Sequence, residues 1–272
     1  MSPAGFRYDG KRVLVVGGAT GMGAAAAKRV ADLGAEAIVM DVAAIDYPCA
    51  QSLKVDLRDK SSVEASIEQI SAPIHAIFSC AGIADGPGLM LINFTAQRHL
   101  IDRLLEQGKL GRGAAIAMIS SAAGMGWQNN LAQALEFLDC ADWDSAAKWI
   151  EEHPGTDNYL ISKQFMCAYV ARESFALLRK GIRLNAVLPG PTDTPLARAN
   201  ADVWLGFGEP FRKEVGVEPL TPEQIGDTLV FLCSDAAGGI NGANLVIDHG
   251  HASHSVAGAY DDPAIKGLLG IG

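Results

Sequence analysis

The chain has 272 residues, 49% hydrophobic and 19% charged, with 30 glycines and a formal charge of −9. At this size an α/β chain is routinely one domain whose core stands without disulfides or metals, and the composition excludes a disordered polymer. The acidic balance without any basic run disfavours nucleic acid and anionic membrane surfaces as partners, and no apolar run is long enough to span a bilayer.

The first predicted strand, 12–16, runs straight into a helix at 21–33 that Gly34 ends. Strands at 36–40 and 51–55 follow, then a helix at 61–70 with Ser61 or Ser62 as its cap. Buried strands are predicted at 74–80 and 114–119, a long helix at 159–180, and late strands at 182–188 and 243–247. Continuous apolar strands alternating with helices predict an α/β fold: a doubly wound parallel sheet of about seven strands with helices on both faces, in one domain over 1–272.

The loop after the first strand reads Gly17-Gly18-Ala19-Thr20-Gly21-Met22-Gly23. Glycines at 17, 21 and 23 permit a tight turn and close backbone approach. The helix that follows presents free N–H groups to a pyrophosphate, with Thr20 and Met22 among the contacts. Asp41 closes the second strand, 18 residues past Gly23. A carboxylate there accepts hydrogen bonds from the adenosine ribose and repels a 2′-phosphate. Neither the glycine loop nor Asp41-Val42-Ala43 offers an Arg or Lys, so NAD is expected over NADP. Asp56 and Leu57, after the third strand, are placed to flank the adenine. The bland alternatives are a plain strand–helix turn and a solvated aspartate.

Tyr159 and Lys163 stand four apart, on one face of the long helix. A phenol is too weak an acid to act as a base at neutral pH, and a neighbouring ammonium favours its ionised form. Tyr159 can then take an alcohol proton while a hydride leaves for the nicotinamide. Ser121 can hydrogen-bond the reacting oxygen and stabilise its charge.

These motifs, in this order, resemble the short-chain dehydrogenase/reductase family. Its G-x-x-x-G-x-G matches Gly17, Gly21 and Gly23, and its Y-x-x-x-K matches Tyr159 and Lys163. Its serine matches Ser121, its helix asparagine Asn93, and its P-G-x-x-x-T Pro189, Gly190 and Thr194. The resemblance runs over about 11–250, with Val16, Cys80-Ala81-Gly82 and Asp248-His249-Gly250 as departures. It implies a Rossmann-type fold, Lys163 on the nicotinamide ribose, and Asn93 positioning a water for proton relay. It also implies Cys80, Ala81, Gly82, Pro189, Gly190, Thr192 and Thr194 along the cofactor, and a homodimer or homotetramer.

Ser121 and Tyr159 lie farther apart than in most members of that family. Residues 128–153 therefore read as a helical insertion, with stripes Leu131, Leu135, Leu138 and Trp143, Ala147, Ile150, and Asp142 as a cap. It covers either the substrate cleft or the helices many members use to self-associate. With Cys-Ala-Gly and Ile-Ser-Ser it is similar to the bacterial subgroup of 3α-hydroxysteroid dehydrogenase/carbonyl reductase and coniferyl-alcohol-type dehydrogenases. That implies a bulky apolar or aromatic alcohol, or the matching ketone.

Residues 196–220 carry Trp204, Leu205, Phe207 and Phe211 and read as a substrate lid over a hydrophobic pocket. The spacing of His249, His251 and His254 could bring ligands together beside Asp248, but neither a zinc motif nor a predicted helix supports it, so no metal is expected. Five scattered cysteines and no apolar signal core in 1–10 lead to the expectation of a reduced, cytoplasmic protein. The reading is an NAD-dependent dehydrogenase of a bulky, hydroxysteroid-like alcohol. Its alternatives are the same chemistry on an aromatic allylic alcohol such as coniferyl alcohol, and a non-catalytic NAD(H) sensor.

Overall fold

The seven apolar runs pair as seven parallel strands in the computed structural model, which describes residues 4–71 and 73–271. In chain order these are β1 (Arg12–Val16), α1 (Gly21–Asp32), β2 (Glu36–Asp41), β3 (Gln51–Lys54), α2 (Lys60–Glu68) and β4 (Ile74–Ser79). A π-helical turn, Leu91–Thr95, leads into α3 (Ala96–Glu106) and β5 (Leu110–Ile119). The insertion forms α4 (Leu131–Leu138) and α5 (Trp143–Glu152), before α6 (Tyr159–Arg179) and β6 (Arg183–Pro189). Three short helices follow: α7 (Pro195–Ala199), α8 (Ala201–Trp204) and α9 (Glu209–Val215). The chain continues with α10 (Pro222–Cys233), β7 (Asn244–Ile247), α11 (His251–Val256) and α12 (Pro263–Leu269).

The sheet order is β3-β2-β1-β4-β5-β6-β7. Strand order reverses between β1 and β4, so their carboxyl ends open a crevice where a dinucleotide can lie. Alternate residues of β1 serve opposite layers. Leu14 and Val16 join the core under α3 and α6, with Ile77, Phe94 and Phe165. Val13 and Val15 join the core under α1 and α10, with Phe78, Val30 and Leu229. Helix α1 is rich in alanine because α10 lies close against it. A Cβ on Gly226 would stand 2.9 Å from the Ala26 nitrogen.

Two local expectations are corrected. Helix α2 is capped by Asp59, whose carboxylate accepts the Ser61 N–H at 2.9 Å. Ser61 and Ser62 therefore lie inside the first turn, and the Ser62 hydroxyl accepts the Asp56 N–H. The insertion's apolar faces are also rotated by about one residue. Helix α4 buries Ala134, Phe137 and Leu138 and leaves Leu135 exposed. Helix α5 buries Trp143, Ala146 and Trp149, with Ala147 and Ile150 only partly covered. The aromatic rings decide this, because they have more area to bury than the leucines. Phe137 lies 5.1 Å from Trp149 and 5.4 Å from Phe165, between ring centroids. Asp142 does cap α5, in a capping box with Ser145.

The insertion packs on α6 and on the π-helical turn, through Phe94, Phe165 and Trp149. Residues 196–220 are largely helical rather than an open connection. Among the described residues, no helix is long and apolar enough to cross a membrane.

Candidate active site

Gly17 and Gly21 have φ of +81° and +58°, which favours glycine. Close approach adds to this: a Cβ on Gly23 would fall 2.1 Å from the Gly17 carbonyl oxygen. Thr20 caps α1 without a side-chain bond to the first turn, so the leading N–H groups face outward. They face a cleft of about 550 Å³, in whose wall Gly17, Thr20, Gly21, Met22 and Gly23 meet Asp41, Asp56 and Leu57. Cys80, Ala81, Gly82 and Thr194 line the same cleft. A glycine floor, free helix-end donors and a carboxylate at the far end make a donor set that suits a dinucleotide.

Asp41 is held in place by the backbone: its two oxygens accept the Ala19 and Ala43 N–H groups at 2.9 and 3.0 Å. Arg58 lines this cleft too, a cation the sequence reading did not place there. Its guanidinium is paired with Asp56, whose carboxyl it holds below the usual range through that hydrogen bond. The signal was an arginine two residues past Asp56, after β3.

A second cleft of about 320 Å³ continues from the first, sharing Met22, Cys80, Gly82, Thr194 and Leu196 with it. Here Ser121, Tyr159 and Lys163 meet Pro189, Gly190 and Thr192. Asn158 caps α6 by accepting the Ile161 N–H, which places Tyr159 first and Lys163 one turn later. Two bonds lock α6 to the end of β5: Ser120 Oγ donates to the Lys163 carbonyl, and Lys163 Nζ to the Ile119 carbonyl, both at 2.9 Å. Lys163 Nζ lies 5.5 Å from the centre of the Tyr159 ring. Burial pulls the Lys163 amine down to about 8. Burial pushes the Tyr159 phenol above its ordinary value, and a hydrogen bond with Ser121 pulls the other way.

Asn93 is fully buried and lines neither cleft. Its amide accepts from the Ile83 N–H and donates to the Ile83 carbonyl and to Ser162 Oγ, so it ties the 83 turn to α6. It does stand beside Lys163, since a Cβ on Gly82 would be 3.4 Å from Asn93 Oδ1 and 3.6 Å from Lys163 Nζ. Thr192 donates to the Gly190 carbonyl and Thr194 caps α7, which turns that segment over the cleft. Burial raises the Cys80 thiol, which disfavours the thiolate a nucleophile needs.

The outer wall is apolar: Leu196, Ala197, Val203, Trp204, Phe207 and Leu268. The Trp204 ring lies 4.9 Å from that of Tyr159. Among the described residues, Lys163 is the only charged side chain in the lining. Phe211 is not in the wall but buried behind it, stacked on His251. Leu268 was missed in the sequence; the only hint was an apolar pair, Leu268-Leu269, between Gly267 and Gly270. No insertion residue reaches either cleft.

Residues 11–132 match the family model described as short chain dehydrogenase, and 145–252 match that described as enoyl-(acyl carrier protein) reductase. The intervening gap falls within the insertion. The chain is 29% identical to 3-alpha-hydroxysteroid dehydrogenase/carbonyl reductase of Comamonas testosteroni, over 88% of this chain and 95% of that one. It is 30% identical to cis-4-hydroxycyclohexanecarboxylate dehydrogenase of Sinomonas cyclohexanicum, over 92% and 99%. Among solved structures, 3-alpha-hydroxysteroid dehydrogenase from Pseudomonas sp. B-0831, complexed with NADH, superposes with a TM-score of 0.73 at 23% identity, over 93% and 100%.

Proposed function

The chain belongs to the short-chain dehydrogenase/reductase family of oxidoreductases, and from that premise we propose that it exchanges a hydride between NAD and a bulky, uncharged, apolar alcohol of hydroxysteroid-like size. One observation carries this reading: Ser121 and Tyr159 open onto a wall of Trp204, Phe207 and Leu268, in a cleft where Lys163 is the only charge among the described residues. A carboxylated alcohol would lose its hydration there without gaining a cation of its own.

Bound NAD supplies the hydride acceptor. Tyr159, as phenolate, takes the hydroxyl proton as the carbon gives up its hydride and the C–O bond becomes a carbonyl. Ser121 donates to the substrate oxygen, where negative charge develops. Lys163 spends one N–H on the Ile119 carbonyl and keeps others for a ribose hydroxyl, while its charge favours the phenolate. Trp204 shields the phenol from water. Asn93 acts by holding the 83 turn against α6, beside Lys163. The second reading, an aromatic allylic alcohol such as coniferyl alcohol, is favoured by the flat face of Trp204 beside Tyr159.

The test is NADH formation across hydroxysteroids, aromatic allylic alcohols and hydroxy acids, each also run with NADP. Turnover is expected with an uncharged bulky alcohol and NAD, and a hydroxy acid as best substrate would sink the reading. Tight NADH binding without turnover would favour the sensor. Asp41→Ala is expected to raise NADP use about tenfold or more by removing a carboxylate that repels the 2′-phosphate. Equal use of both cofactors, unchanged by that substitution, would overturn the NAD preference.

The five free cysteines suit a reducing, cytoplasmic compartment. The insertion covers part of α6, which favours a homodimer over a homotetramer. Light scattering is expected to give twice the 28.5 kDa chain mass, and a tetramer would count against the shielding argument.

A further inference from the structure

His251 is a buried imidazole that the hydride chemistry does not use. It stands first in α11, and its Nε2 lies 2.7 Å from Asp262 Oδ2. Asp262 uses its other oxygen to cap α12, accepting the Ala264 N–H at 2.8 Å. On the opposite side the imidazole lies flat on Phe211 of α9, with ring centres 4.4 Å apart and planes within 10°. Tyr260 closes the cluster edge-on to both rings. Gly208 has φ +63°, and a Cβ there would fall 2.6 Å from His251 Cε1, so the lid backbone rests directly on the imidazole.

Each end of this cluster leads to the apolar wall of the cleft. From α9, buried Arg212 donates to the carbonyls of Phe207 and Leu205 and so fixes the turn that carries Phe207. From Asp262, α12 carries Leu268 into the wall and sets its carbonyl against Gly126, where a Cβ would fall 1.9 Å from the Leu268 oxygen. Gly126 lies just past the turn that begins at Ser121.

We propose that His251, clamped between Phe211 and Asp262, is a positioning residue that joins the lid and the C-terminal helix into one unit and so sets the width of the substrate cleft. The inference rests on the reading of this cleft as the alcohol site. The clamp makes no contact with the reacting atoms. It holds Phe207 and Leu268 at a fixed separation, which a long substrate senses and a short one does not.

The test compares His251→Leu, which removes the donor, with His251→Gln, whose amide nitrogen can reach the Asp262 carboxylate. Hydrogen exchange is read over 201–215 and 263–269, with α6 as reference. In His251→Leu, both segments are expected to exchange about tenfold faster together, the scale of one lost charge-assisted hydrogen bond. His251→Gln is expected to restore most of the protection. KM for a bulky alcohol is expected to rise about tenfold in His251→Leu, while kcat for a short alcohol and NADH affinity stay as in the wild type. Unchanged exchange, or faster exchange in one segment alone, would overturn the clamp, as would equal losses of kcat on long and short alcohols. If His251→Leu does not fold, Phe211→Leu loosens the other side and is expected to give the same paired pattern. If the wild type turns over no alcohol, the functional reading fails while the exchange result still decides the clamp.

Discussion

Replacing Tyr159 with phenylalanine is expected to lower kcat for alcohol oxidation by about a thousandfold while leaving NADH affinity little changed. The ring keeps its packing against Trp204, so the variant loses only the hydroxyl. General acid–base catalysis contributes about 10²–10⁴-fold, and the lost hydroxyl is also a hydrogen-bond partner of Ser121. The wild-type pH profile carries a second sign. Oxidation needs the phenolate, so its rate should rise with pH until Tyr159 is ionised. Burial raises the pKa of that phenol and its hydrogen bond with Ser121 opposes the rise, so Ser121→Ala should move the rising limb to higher pH. Steady-state rates across pH, with fluorescence titration of NADH, check both. A phenylalanine variant within tenfold of wild type would remove Tyr159 from the mechanism.

The parts of this site that the sequence exposed are those whose chemistry needs fixed residue types at short spacing. The glycine loop, Asp41, Ser121, and the Tyr159–Lys163 pair each sit within one strand, turn or helix, and the structure brings them to two adjoining clefts. Asn93 was legible only through a resemblance, and its amide proves to be spent on Ile83 and Ser162. The insertion shows the limit of periodicity. Leu131, Leu135 and Leu138 satisfy a helical repeat as well as the face actually buried. Only the tertiary encounter of Phe137 and Trp149 with Phe165 chooses between them. The outer wall was half legible. Trp204 and Phe207 stood out as large apolar residues, whereas Leu268 reaches the cleft only because α12 folds back on Gly126. The His251–Asp262–Phe211 cluster joins three segments with no local pattern between them, so nothing short-range announced it.

Lys163→Met is expected to make the cofactor-free protein more stable at pH 7 while disabling it. The Lys163 amine is 3% exposed, and burial brings it from an ordinary 10.5 down to about 8. The nearby groups that favour its charge are the thiols of Cys167 and Cys80, and burial drives both so high that neither is ionised at pH 7. The ammonium is thus held without a counter-charge. In the unfolded chain it takes its proton below 10.5, in the folded chain only below about 8. Between those values the unfolded state binds more protons, so stability rises with pH. Below about 8 both states are protonated and the folded state bears the full penalty, about 3 kcal/mol. Methionine removes that penalty but leaves the Ile119 carbonyl without its donor, at a cost of about 1–2 kcal/mol. The net expectation at pH 7 is a gain of about 1–2 kcal/mol, which fades and reverses as pH rises toward 10.5, where the wild-type amine is neutral in the folded state and only partly charged in the unfolded one. Denaturant titrations of the two proteins at pH 7 and pH 10 test this, and a variant less stable at pH 7 would refute it. On the proposed mechanism the cation that weakens the fold is the one that lies 5.5 Å from the centre of the Tyr159 ring, so stability would be given up where the chemistry is done.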